Sequence, residues 1–73
     1  MMRVIIPRAK VCRNVPMGIS EVDTITAVVL AAESNRIRVR IERPGRLGAE
    51  LDGHVVKAGM ELTDYVDRWM VCR

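Results

Sequence analysis

The side chains best equipped for chemistry in this chain are arginines. Arg36, Arg38 and Arg40 alternate with Ile37, Val39 and Ile41 in the stretch RIRVRIER. That alternation predicts a strand with one cationic face and one apolar face. Alternate residues on a strand face stand about 6.8 Å apart, so the three guanidinium groups form a row about 14 Å long. Arg43 and Arg46 extend it. A guanidinium fork pairs bidentately with carboxylate or phosphate, so the row suits docking onto an acidic protein surface or a nucleic-acid backbone. The same pattern also serves a solvent-facing strand that avoids edge pairing. Readers of single-stranded nucleic acid stack bases on aromatic side chains. This chain has no Phe, one Tyr and one Trp, so phosphate or protein contact is expected in preference to base reading.

Other chemistry finds little support, and no enzyme is expected. His54 is the single histidine, and no Ser or Cys beside it is marked as an activated nucleophile. Glu50 and Asp52 are two residues apart in a glycine-rich stretch where acids commonly face water. Structural zinc needs four ligands, usually in closely spaced pairs, and Cys12, Cys72 and His54 do not supply them. Gly45 and Gly48 lack the strand–GxGxxG–helix context of a phosphate loop. The expectation is no metal, no cofactor and no small-molecule substrate.

The arginine row needs elements to hold it. Thr24 to Ala32 reads as a β-branched strand, apolar on both faces and therefore covered on both. Glu33-Ser34-Asn35 is the turn, with Asn35 suited to a left-handed conformation. Residues 2–6, MRVII, form a first strand stopped by Pro7. Residues 8–13 continue it past a bend, and 14–18, NVPMG, is loop. Ser20 to Asp23 is either a helical turn or a polar connection. Pro44 to Gly53 is loop, His54 to Ala58 a short strand, and Met60 to Leu62 a possible further one. Thr63 suits a helix N-cap and Asp64 the first turn. Leu62, Tyr65, Val66, Trp69 and Met70 then recur at helical spacing. The expected fold is α+β: a single domain over 1–73, with a small curved antiparallel sheet or barrel of four to five short strands and one short C-terminal helix.

The chain has 73 residues, near the lower limit for a self-supporting core; a domain this small buries only about 60% of its unfolded surface. Lys and Arg number 12 against 9 acids, for a net charge of +3. The charges are segregated: Arg3, Arg8, Lys10 and Arg13 precede the first acid, Glu21. Such segregation suits a polyanion or a larger charged partner. The strand Arg3–Ile6 offers an edge for strand addition, and Trp69 is either a binding anchor or the plug of a core without Phe. Val4, Ile6, Arg8 and Trp69 are thus the candidate partner-binding residues. No signal-peptide or membrane-spanning run is expected. Cys12 and Cys72 allow one disulfide, but with no sign of secretion they are expected as reduced, buried thiols in a cytoplasmic protein, host cytoplasm if the gene is phage-borne.

Two resemblances bear on function. The segments Val4-Ile5-Ile6-Pro7-Arg8 and Asn35 to Pro44 resemble the layout of the carbon-storage-regulator family, which implies an RNA-binding translational regulator acting as a homodimer. The chain departs from that layout in the stretch after Pro44. In length, basic character and small mixed fold, the whole chain resembles the small transcription regulators of lytic Xanthomonas bacteriophage that bind host RNA polymerase. That resemblance implies docking on the N-terminal region of the β′ subunit near the RNA exit channel. It further implies inhibition of initiation by displacement of σ, and suppression of termination assisted by NusA.

Overall fold

The computed structural model describes residues 7–72. The strand expected over residues 2–6 lies outside that range, as do Val4 and Ile6. Seven strands follow: β1 (Lys10–Pro16), β2 (Val22–Glu33), β3 (Arg36–Arg43), β4 (Glu50–Leu51), β5 (His54–Val55), β6 (Glu61–Tyr65) and β7 (Met70–Val71). Five make one antiparallel sheet in the order β6-β3-β2-β1-β7, and β4 and β5 form a separate ribbon.

The sheet is coiled into a barrel-like shape, and its connectivity requires this. Its outermost strands, β6 and β7, are consecutive in the chain and joined through a 3-10 turn, Val66–Arg68. Five strands laid flat would hold their outer edges about 19 Å apart. The connecting turn rises only about 2 Å per residue. A side-chain contact makes the same point: Arg13 of β1 bonds Asp64 of β6, although β2 and β3 lie between those strands in the ladder.

The concave side of the sheet holds the core. Val11, Ile25, Ala27, Val29, Ile37, Val39 and Ile41 are buried there, alternating with outward residues along β1, β2 and β3. Ala49, Leu51 and Val56, from the ribbon and its flanks, join the same cluster with Trp69. The ribbon closes through Asp52 and Gly53, both at positive φ (53° and 80°). An Asp-Gly pair is the usual occupant of such a two-residue turn.

The expected C-terminal helix does not form, so the α+β class is corrected to a small antiparallel sheet. Thr63 is not an N-cap: it sits in the middle of β6. Leu62, Asp64 and Val66 face inward, whereas Tyr65 and Met70 of the supposed apolar stripe are exposed. The true period is two, and it passes through a buried aspartate that a count of hydrophobic residues assigns to the surface.

Three smaller corrections share local causes. The strand β1 runs through Asn14 to Pro16, where a loop is expected. Val29 N–H donates to Ala9 and Met17 N–H to Glu21, with one-to-one pairing between. Hydrogen-bonded pairs alternate along an antiparallel ladder, so Pro16, opposite Val22, falls in a non-hydrogen-bonded pair and its missing N–H costs no ladder bond. In the β2–β3 turn the left-handed residue is Ser34 (φ 55°) and not Asn35. The outer face of β2 has no helix over it; Thr26, Val28 and Leu30 are half-buried there, and the β2–β3 register shifts between Val29 and Ala31.

Candidate docking surface

The arginine row forms as the alternation predicts, with Arg36, Arg38 and Arg40 all exposed on β3. It is not a bare cationic track. Arg38 is bridged to Glu61 of β6 at 2.7 Å. Arg36 lies over the Tyr65 ring, 5.1 Å from its centroid, and Arg68 lies 5.2 Å from the same ring. Glu33 stands directly opposite Arg36 on β2. Further along, Lys10 of β1 meets Glu42 at 3.4 Å. The convex face is therefore a ladder of mixed charge, in which opposite signs face each other across strands.

Arg40, Arg43 and Arg46 make no ion pair among the described residues. Two of them gather at the end of the sheet remote from the β2–β3 turn. There an open groove of about 480 Å³ is lined by Val22, Thr24, Thr26, Arg43, Arg46 and Leu47. Arg43 stands opposite Thr26 at the last pair of the β2–β3 ladder, so Val22 to Ile25 run on past β3 and form one wall. The segment after Pro44 forms the other.

That second wall is held by a buried carboxylate. Asp23 is 3% exposed, and its Oδ2 accepts the backbone N–H groups of Leu47 and Ala49, each at 3.1 Å. A Cβ on Gly45 would overlap the same carboxylate, so only glycine lets the chain pass this close. The loop is fixed from inside while Arg46 and Leu47 point outward. Val22 and Leu47 are 57% and 45% exposed, so the groove pairs two unpaired guanidinium groups with two uncovered aliphatic side chains.

On β6, Asp64 organises the closure. It is 7% exposed and accepts from Arg13 Nη1, from Trp69 Nε1 at 3.0 Å, from the Tyr65 N–H at 2.8 Å and from Arg68 Nη1 at 3.4 Å. Trp69, expected as a partner anchor or a core plug, is 1% exposed and packed in the core cluster. Arg8 is exposed at φ 72°, its N–H donating to Val29.

Cys12 and Cys72 are not free thiols. They form a disulfide, with Cα atoms 5.4 Å apart, which corrects the expectation of reduced cysteines. It forms because β7 lies beside β1, with Cys12 opposite Met70 and the Cys72 N–H donating to Lys10 at 3.0 Å. Among the described residues no group of three His, Cys, Asp or Glu side chains is placed to hold a metal ion. No helix among them is long and apolar enough to cross a membrane.

The sequence reading names Arg43 and Arg46 but misses Val22, Thr24, Thr26 and Leu47, which share their groove. One signal was legible: Arg46-Leu47 is flanked by glycines in PGRLG, where a large apolar residue in a turn-forming stretch has no core to enter. No protein-family model matches the chain, and no curated protein or solved structure is significantly similar to it.

Proposed function

We propose that the chain is a phage-type transcription regulator that acts by docking on host bacterial RNA polymerase, in the host cytoplasm. The docking point is the N-terminal region of the β′ subunit near the RNA exit channel. Binding there inhibits initiation by displacing σ and, with NusA, suppresses termination. The protein is a binding module and not an enzyme. The observation that carries this reading is the pair of unpaired guanidinium groups, Arg43 and Arg46, presented beside exposed aliphatic side chains on a rigid wall. Charge of this kind steers association and sets specificity toward an acidic surface.

The alternative, an RNA-binding translational regulator acting through the β3 face, draws less support. Arg38 is committed to Glu61, and the exposed Tyr65 ring beside Arg36 is already covered by Arg36 and Arg68. The test of the preferred reading is retention of purified core polymerase by the immobilised protein at low salt, with loss of retention when the β′ N-terminal region is deleted. Failure to retain any polymerase subunit overturns it.

A further inference from the structure

We infer that the groove between the start of β2 and the Pro44–Ala49 segment is a seat for an acidic peptide segment that carries an aliphatic or aromatic anchor. This names the working part of the surface and rests, for its partner, on the polymerase-docking reading above.

The charge argument comes first. Lys10, Arg13, Arg38 and Arg68 have carboxylate partners, whereas Arg43 and Arg46 have none among the described residues. Of the acids beside them, Glu42 is paired with Lys10, and Asp23 accepts the Leu47 and Ala49 N–H groups. The groove therefore presents uncompensated positive charge, with the Thr26 hydroxyl as a further polar partner for a peptide group and the Thr24 oxygen, whose proton goes to Asn14, as an acceptor for a peptide N–H. Thr24 Oγ1 bonds Asn14 at 2.9 Å, which fixes its orientation.

The second argument separates peptide from nucleic acid. A phosphodiester needs cations and gains nothing from Val22 and Leu47. Both aliphatic side chains line the groove while largely exposed, and the two aromatic residues, Tyr65 and Trp69, are not among its lining. A ligand with carboxylates flanking one apolar side chain satisfies both halves of the surface, in the manner of an anchored interface core with a polar rim.

The third argument is preorganisation. Asp23 and Gly45 lock the loop before any ligand arrives, so Arg46 and Leu47 are held ready and binding spends little on ordering the backbone.

Two measurements test the proposal. In the first, purified core RNA polymerase is titrated with the protein and with Arg43→Ala/Arg46→Ala, Val22→Ser/Leu47→Ser and, as a control, Arg36→Ala/Arg38→Ala. Each groove pair is expected to lose about tenfold or more in affinity, and the control under about twofold. All four residues of the groove variants are exposed, and an unchanged Trp69 emission spectrum verifies their fold. In the second, backbone amide shifts are followed by NMR against a blocked ten-residue peptide of glutamates interrupted by two leucines, and against a ten-nucleotide oligothymidylate. Shifts at Thr24, Thr26, Arg43 and Leu47 with the peptide, weakened in both groove variants, support the seat. If the wild-type protein does not bind polymerase, the partner assignment fails while the peptide titration still decides the groove. Polymerase binding that both groove variants retain overturns the groove and leaves the partner standing. Shifts produced only by the oligonucleotide, insensitive to Val22→Ser/Leu47→Ser, overturn the peptide in favour of a phosphate site.

Discussion

Two buried aspartates, Asp64 and Asp23, tie separate parts of this small fold, and they do so by different chemistry. Asp64 gathers charged and side-chain donors, Arg13, Arg68 and the Trp69 indole, and so joins β1 to β6 across the gap between the ends of the sheet. A disulfide from β1 to residue 72 reinforces the same closure. Asp23 gathers only neutral backbone donors, and what it shapes is a loop. The contrast teaches that one residue type serves two purposes. The Asp64 side holds the fold together, whereas the Asp23 side sets the form of a surface whose own side chains, Arg46 and Leu47, are left uncovered.

The comparison breaks most visibly at the disulfide. Cross-linking residues 60 apart stabilises by about 4 kcal/mol in the chain-entropy account. Cys12→Ser/Cys72→Ser is expected to lower the denaturation midpoint accordingly, followed by Trp69 fluorescence, with the groove's ligand affinity in the folded protein unchanged. Asp64→Ala comes next. It strands Arg13, whose side chain is 21% exposed, and leaves the buried indole N–H without its acceptor, a loss of about 3 kcal/mol. Urea unfolding measures it, and a value under about 1 kcal/mol would show that the closure rests on packing and the disulfide alone.

Gly45→Ala should cost about 2 kcal/mol by overpacking against Asp23. It sharpens the comparison because its effect should appear in binding as well as in stability. In an Asp23→Ala background the same substitution should cost markedly less, since the clashing atoms are gone, and a double-mutant cycle reads that coupling. Independent, additive costs would mean that the loop is not fixed by this carboxylate. The smallest effect belongs to the convex ladder. Glu61→Gln removes an exposed ion pair with Arg38 and is expected to change stability by no more than about half a kcal/mol.

The β2–β3 hairpin was plainly legible. Ile37, Val39 and Ile41 alternate with arginines, and each of the three is buried as that alternation requires. The Asp-Gly pair at 52–53 carries its turn chemistry openly; of the ribbon it closes, His54–Val55 falls in the expected short strand and Glu50–Leu51 in the stretch read as loop. The C-terminal segment was misread for a definite reason. Leu62, Val66 and Trp69 suit a helical stripe only if Asp64 is a surface residue, and nothing local reveals that Arg13, far off in the chain, will meet its carboxylate. The groove was half legible: Arg43 and Arg46 stood out as cations, but their aliphatic neighbours come from two segments that only the fold brings together.

By itself the sequence determined the alternating faces of the β2–β3 hairpin and the place of its turn, because these follow from side-chain alternation and turn chemistry within a few residues. The tertiary structure decided which arginines are neutralised, whether Cys12 and Cys72 meet, and whether Asp23 and Asp64 are inside. Those outcomes depend on how far the sheet coils. Coiling is a property of all five strands and the short turn that joins the outermost two, and it places β1 against residues some 50 positions away. No local pattern carries that distance.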